Sequence, residues 1–382
     1  MEESTDHINR EMLTVARESR GLTQTEFARA IGVTQGMASK IEVGLIRVSP
    51  MLLERISEVL HYPVSFFRNH DPVYGPGVSE FYHRSLKKVS KKLTNKIYAL
   101  MNIKLTQLSR MLRNIEWDMP RSIPMLDIDD FEGRPEVVAR AVRAKWLVPN
   151  GPIANMTNLV EDAGGIVVMF DFGTNDVDAI SRWLPNMPPV FFVNREIPAD
   201  RMRFTLAHEL GHMVMHRSPN PFMENEANKF AGEFMMPADE IRSSLRSVSL
   251  PVLADLKPRW KVSMNALLYR AVDMGLVTAN QQRYLWTQMN KAGLRRKEPA
   301  SLDLPLETPT LLPEIQGYYT GEVGLTLEEL AELVSLFPDE AEAEYVTQLR
   351  VIASESNEDV SNAVAEAEFI VRNHQRADED DE

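Results

Sequence analysis

Residues 208–212 read His-Glu-Leu-Gly-His, inside the run RFTLAHELGHMVMH from 203 to 216. On a helix this spacing places His208 and His212 one turn apart on one face, with Glu209 beside them. Two imidazoles so placed can share one divalent cation, and the adjacent carboxylate can accept a proton from an attacking water. The flanking Phe204, Leu206, Ala207, Leu210, Val214 and Met215 are apolar, as a buried active-site helix requires. Asp200 is the expected N-cap. His216, a turn further on, drifts away from the pair and is read as structural or as a support behind the ligands.

The chain contains no cysteine. Thiolate ligands and disulfides are therefore excluded, and a zinc ion must be held by His and carboxylate, which favours an open, catalytic type of site over a closed structural one. A third ligand is expected from a following helix. The segment MENEANKFAGEFMMP (223–237) supplies one, with Ala227, Phe230, Ala231, Phe234 and Met235 at helical spacing and Pro237 at its end. Glu224 and Glu226 both lie near its start. Glu226 fits better, because it directly precedes the apolar Ala227; Glu233, two turns on, is the third choice.

The run FTLAHELGH, followed by E-A-N-x-F-A and F-M-M-P, resembles the ImmA/IrrE family of bacterial metallopeptidases, over roughly residues 130–290. The resemblance implies zinc held by His208, His212 and Glu226, with Glu209 as catalytic base. It also implies a protein substrate, a repressor or a partner cut at one site. Some members of the family bind zinc without demonstrable cleavage.

The N-terminal sixty residues carry a second pattern. Thr23, Thr34 and Ser49 are placed to cap helices at 24–30, 35–42 and 50–60, after a first helix at 12–20; Gly21, Gly32 and Gly44 end the first three. Pro50 stands at the first turn of the fourth. In LTQTEFARAIGVTQGMASKIEVG, the apolar Phe27, Ala28, Ile31, Val33, Met37 and Ile41 form one expected buried set, leaving Thr34, Gln35, Gly36, Ser39 and Lys40 on the opposite face. Two short helices joined by a Gly-containing turn form a helix-turn-helix. This segment resembles the Xre/Cro-type helix-turn-helix family over about residues 8–65. The resemblance makes 34–40 the recognition helix in the major groove of a double-stranded operator. Gln35 would pair with an adenine edge, Lys40 with guanine or phosphate, Ser39 would lie on the same face, and Thr23 and Gln24 would clamp phosphate. Gly36 is a departure, with no side chain where a base contact is expected. Such readers usually meet paired half-sites, so a homodimer is expected.

The net charge of −13 does not advertise DNA binding, but the charge is uneven. Between Phe81 and Ile115 there is no acidic residue, and Arg84, Lys87, Lys88, Lys91, Lys92, Lys96, Lys104, Arg110 and Arg113 are all basic, on a helical apolar period. This arm can track phosphates, act as a linker or dimer helix with its lysines in water, or dock an acidic patch of the C-terminal half. The chain closes on an acidic run, 377–382, of the solvating type.

The expected fold is mainly α with a small β-sheet (α+β). It comprises an N-terminal helix-turn-helix bundle (1–72), a basic helical linker (78–120), a gluzincin-like metallopeptidase domain (121–295), an exposed Pro-rich linker (296–320), a helical C-terminal region (321–372) and an acidic tail (373–382). Within the middle domain, helices are expected at 135–146, 153–163, 256–275 and 278–291, and strands at 165–170, 179–183 and 190–193. The last strand, nearest the His-rich helix in sequence, is the expected edge on which an extended peptide would pair. Helices are also expected at 325–336 and 339–352. No run approaches a membrane span and no apolar signal region opens the chain, so a cytoplasmic location is expected. Two function classes follow. One is a DNA-binding regulator whose zinc peptidase cleaves a repressor, a toxin or itself. The other is an antitoxin or regulator whose zinc domain only binds a partner or senses a signal.

Overall fold

The computed structural model describes residues 8–75, 89–115, 119–295 and 297–347. Arg84, Lys87 and Lys88, the last part of the helix expected at 339–352, and the acidic run 377–382 lie outside the described residues. The chain forms two compact units. Among the described residues, one holds 8–75, 89–115 and 311–347, and the other 119–295 and 297–310. The basic segment and the C-terminal helices, expected as separate regions, are thus grouped with the N-terminal bundle.

The first unit opens with α1 (Arg10–Ser19), α2 (Gln24–Ala30), α3 (Gln35–Glu42), α4 (Pro50–Leu60) and α5 (Val64–Arg68). Asn9, Thr23, Thr34 and Ser49 each accept hydrogen bonds from backbone N–H groups of the first helical turn. At α2 the bond is reciprocal: Glu26 reaches back to the Thr23 N–H, so two otherwise orphaned donors are satisfied. Phe27, Ala28, Ile31 and Ile41 are buried as expected, together with Ala38, while Val33 and Met37 are only partly covered. α6 (Lys91–Leu112) packs along α1, and Ile97, Met101, Leu105, Leu108 and Met111 are buried.

The second unit places α7 (Pro135–Lys145) and α8 (Met156–Glu161) before a three-stranded sheet of β1 (Ile166–Phe170), β2 (Ala179–Arg182) and β3 (Val190–Asn194). α9 (Ala199–Met215), α10 (Met223–Met235), α11 (Ala238–Ile241), α12 (Leu250–Trp260), α13 (Met264–Asp273) and α14 (Ala279–Lys291) follow. The strand order is β1-β3-β2, with β3 parallel to β1 and antiparallel to β2. The strand at 190–193 is therefore central, not the expected edge. Its uninterrupted Val-Phe-Phe-Val suits a strand covered on both faces, and all five residues are buried. β2 is the edge that lies against α9.

α10 packs closely on α9. A Cβ on Gly211 would meet the Phe230 ring at 3.0 Å, so the glycine in the His-Glu-Leu-Gly-His run lets the second helix approach. Pro198, rather than Asp200, is the N-cap residue of α9. Asp200 instead accepts from the buried Lys257 at 2.5 Å, and Lys257 also reaches Glu298 at 2.8 Å. The helix expected at 256–275 is broken into α12 and α13 by Lys261, which ends α12 in the left-handed region.

The Pro-rich segment is not the exposed linker its composition suggests. Glu307 forms an ion pair with Arg203, whose side chain is 2% exposed, and the same carboxylate accepts from the Met156 and Thr157 N–H groups at the start of α8. Thr310 N–H donates to Glu161. Burial draws the Arg203 guanidinium down to about 10, so it stays charged at neutral pH and needs its counter-ion. Glu307→Gln should destabilise this unit by about 3 kcal/mol, because a buried charge loses its partner. A urea midpoint within error of the parent would show that the strap contributes nothing.

The first unit is completed by α15 (Leu311–Thr320), α16 (Leu327–Val334), α17 (Pro338–Ala341) and a π turn at Glu342–Thr347. The Tyr319 hydroxyl donates to the Met111 carbonyl, Arg110 bonds Ser335 Oγ, and Arg20 pairs with Glu340 at 2.8 Å. No helix among the described residues is long and apolar enough to cross a membrane.

Candidate metal centre and nucleic-acid interface

The helical period of α9 brings the two imidazoles of His208 and His212 to one face, ring centroids 4.7 Å apart and nearly perpendicular. Their Nε2 atoms are 3.0 Å apart. Glu224, from the first turn of α10, points an oxygen at the same place: Oε1 lies 3.4 Å from His212 Nε2, and Oε2 lies 3.9 Å from His208 Nε2. These three are the one group of at least three His, Asp or Glu side chains among the described residues whose ligand atoms converge tightly enough for a metal ion. Glu226 is not among them. Its Oε2 sits 3.0 Å from His216 Nε2 and accepts from Asn220. Residues two apart on a helix point about 200° apart, so only one of this pair can face α9 at the imidazoles. Glu233 is also elsewhere, in a buried ion pair with Arg270 and a second pair with the exposed Arg140.

The hydrogen bonds behind the rings fix their tautomers. Asn228 Nδ2 donates to the Glu224 carbonyl, which turns its Oδ1 toward His208 Nδ1, 3.1 Å away. His208 Nδ1 is then the protonated nitrogen. His212 Nδ1 lies 2.9 Å from His216 Nδ1, and His216 Nε2 faces the Glu226 carboxylate. A proton on His216 Nε2 leaves its Nδ1 as acceptor for the His212 Nδ1–H. In the neutral rings the two Nε2 atoms, 3.0 Å apart, are then the acceptor nitrogens, and they lie beside a buried Glu224 Oε1 that has no hydrogen-bond donor. Tetrahedral zinc, with ligand distances of about 2.0–2.1 Å, separates its donors by about 3.3 Å. The 3.0 and 3.4 Å spacings are close to that value, and the 3.9 Å from His208 Nε2 to Glu224 Oε2 is wider.

Glu209, almost fully buried, faces the same space and accepts from Ser181 Oγ of β2 at 2.5 Å. The site opens into a cavity of about 680 Å³ whose wall includes Ala179 at the start of β2, Glu209, Glu224 and Tyr269. Of the arginines preceding the motif, Arg201 lines this cavity but pairs with Asp178 at 2.8 Å, and Arg203 is the buried partner of Glu307.

In the first unit, Thr34, Gln35, Gly36 and Lys40 are exposed on α3 and Ser39 is partly so. Thr23 and Thr34 use their hydroxyls as caps. Gln35 Nε2 donates to Gln24 Oε1 at 2.9 Å, Gln24 Nε2 donates to Glu42 Oε2 at 2.7 Å, and Arg17 Nε donates to Glu42 Oε1 at 2.5 Å. This chain of bonds holds the starts of α2 and α3 together, with Gln35 at its exposed end. A Cβ on Gly36 would meet nothing within 4 Å.

A family model described as helix-turn-helix matches residues 15–67. One described as the IrrE N-terminal-like domain matches residues 161–272. The chain joins an Xre-type helix-turn-helix domain to an IrrE-like domain. No curated protein matches the chain. The IrrE-like match spans the sheet, α9, α10 and α13, and so takes in every residue of the His208–His212–Glu224 cluster.

Two residues of the IrrE-like site were given no role from the sequence. Asn228 is four residues after Glu224, hence on the same face of α10, and that spacing was a usable signal. Ser181 had none, since only the sheet brings it to Glu209. In the helix-turn-helix domain, Gly36→Ala should raise stability by up to about 1 kcal/mol, because the site is open and glycine is costly inside a helix. A lowered urea midpoint would mean that Gly36 is strained in a way its surroundings do not show.

Proposed function

We propose that this chain is a DNA-binding transcriptional regulator whose IrrE-like domain is a zinc-dependent endopeptidase acting on a protein partner. The observation that carries the reading is the meeting of two imidazole lone pairs and the Glu224 carboxylate beside buried Glu209, at the wall of a cavity large enough for a peptide. His208, His212 and Glu224 would hold the ion, a His₂Glu donor set of the kind used where a coordination position stays open. When bound, zinc supplies Lewis acidity toward a substrate carbonyl and makes water acidic enough to deprotonate near neutral pH.

The protein's own part centres on Glu209. Its carboxylate takes the proton from the attacking water and returns it to the departing amine nitrogen. Ser181 pins Oε2, which keeps the carboxylate oriented toward the cavity through both transfers. An extended substrate would lie along the outer edge of β2, pairing backbone to backbone, so that its scissile bond reaches Glu209. In the other unit, α3 would enter the major groove, with Gln35 on an adenine edge and Lys40 on guanine or phosphate, while Thr23 and Gln24 meet the backbone.

The test is reconstitution of the purified full chain with zinc, followed by metal analysis and incubation with a peptide library, with and without chelator. One zinc per chain and chelator-sensitive cleavage, restored by added zinc, are expected. A chain that holds no stoichiometric metal overturns the reading. One that holds zinc but cuts nothing belongs to the partner-binding class instead.

A further inference from the structure

We propose that the first two turns of α6 form a second contact with the DNA sugar-phosphate backbone, beside the helix-turn-helix, through Lys91, Lys92 and Lys96. This rests on the reading of α2 and α3 as the DNA-facing helices. It adds an element outside that motif.

Three observations place these lysines. Lys92 Nζ lies 3.0 and 3.1 Å from the two carboxylate oxygens of Glu26, in the first turn of α2. The Lys96 side chain runs beside the α1–α2 turn, its Cδ 3.6 Å from where a Cβ on Gly21 would sit. Between them, Asn95 Nδ2 donates to Glu18 Oε1 at 2.8 Å and pins α6 to α1 at this level. Lys91 and Lys92 are exposed. The cations therefore flank the same short stretch that carries Thr23 and Gln24, and Gln24 is tied directly to Gln35 of α3.

The charge is also segregated along α6. The helix has no acidic residue. Farther along it, Lys104 pairs with Glu344 and Arg110 with Asp71, so those cations are held within the fold. Near the start, the acidic groups facing the lysines are Glu18 and Glu26. Glu18 already accepts from Arg17 and Asn95, and Glu26 from the Thr23 N–H. A surface ion pair such as Lys92–Glu26 is weak and exchanges readily for a phosphate partner. A helix lying in the major groove has phosphates along both rims, and elements beside the motif's first helix meet that backbone. The contact is to phosphate, so it carries no sequence preference.

The experiment needs no knowledge of an operator. A short random-sequence duplex is titrated with the full chain at NaCl concentrations from about 50 to 200 mM, and the slope of log K against log salt is read. The variants are K91Q/K92Q/K96Q, the single K91Q, and a charge-matched control, K145Q/K291Q/K297Q, at exposed positions of the other unit. Each phosphate contact contributes about 0.9 to the slope, so the triple variant should lose between about 2 and 3 and K91Q about 0.9. The control should keep the parent slope. K91Q tests the idea even if the triple variant folds poorly, because Lys91 is exposed in the first turn of α6. A parent slope in both α6 variants, or an equal loss in the control, overturns the proposal. A parent protein that binds no duplex at all would sink the DNA-binding reading instead.

Discussion

Glu224→Gln should leave the purified protein without stoichiometric zinc under conditions that saturate the parent, whereas Glu226→Gln should only weaken binding, by about 10- to 100-fold. The two residues are two apart on α10 and chemically identical, and the difference comes from direction alone. Glu224 oxygens lie within 3.4 to 3.9 Å of the imidazole Nε2 atoms, and removing that negative charge takes away one of three donors. Glu226 acts at one remove. It polarises His216, whose Nδ1 accepts a hydrogen bond from His212 Nδ1–H and so keeps His212 Nε2 turned toward His208 and Glu224. Supporting hydrogen bonds of this kind fix the tautomer and raise ligand basicity without supplying a ligand atom. Competition against a colorimetric chelator, followed on both variants, separates the roles. Equal loss in the two would mean that the carboxylates share the site. Loss confined to Glu226→Gln would reverse the assignment.

That pair also shows where sequence stops being informative. The caps Thr23, Thr34 and Ser49 are local chemistry, and the helices they begin, 24–30, 35–42 and 50–60, appear with the expected bounds. His208 and His212 were legible for the same reason, since a four-residue spacing needs only a helix to bring them together. Glu224 or Glu226 depends on the rotation of α10 about its axis relative to α9. Packing sets that rotation, through the approach of Phe230 to Gly211 among others. The order of the strands is similarly non-local. Nearness in sequence suggested 190–193 as the edge, yet its unbroken apolar run was the better guide, and Ser181 and Arg182 mark β2 as the more polar strand. The Pro-rich segment misled in another way. Its composition suggests a stiff chain without helix, yet Leu311–Thr320 folds as α15, and the part before it is held as a strap. Only the buried Arg203 distinguishes a strap from a linker, and Arg203 is far away in sequence.

Glu209→Gln should retain zinc and lose about 10²- to 10⁴-fold in turnover of any peptide the parent cuts. The amide is nearly isosteric with the carboxylate, so Ser181 can still hydrogen-bond the side chain and the packing of α9 against β2 is kept. What disappears is the capacity to accept a proton. In the proposed cleavage both transfers, from water and to the amine, pass through that one group. His216 is committed between His212 and Glu226, and the Glu224 oxygens are directed at the imidazoles. A single substitution therefore separates metal binding from hydrolysis, which a defect in folding could not do. The measurements are zinc stoichiometry and cleavage rate on one preparation. A Glu209→Gln protein that hydrolyses at the parent rate would show that the proton goes elsewhere. One that loses zinc together with activity would show that Glu209 holds the metal site in shape rather than serving as the base.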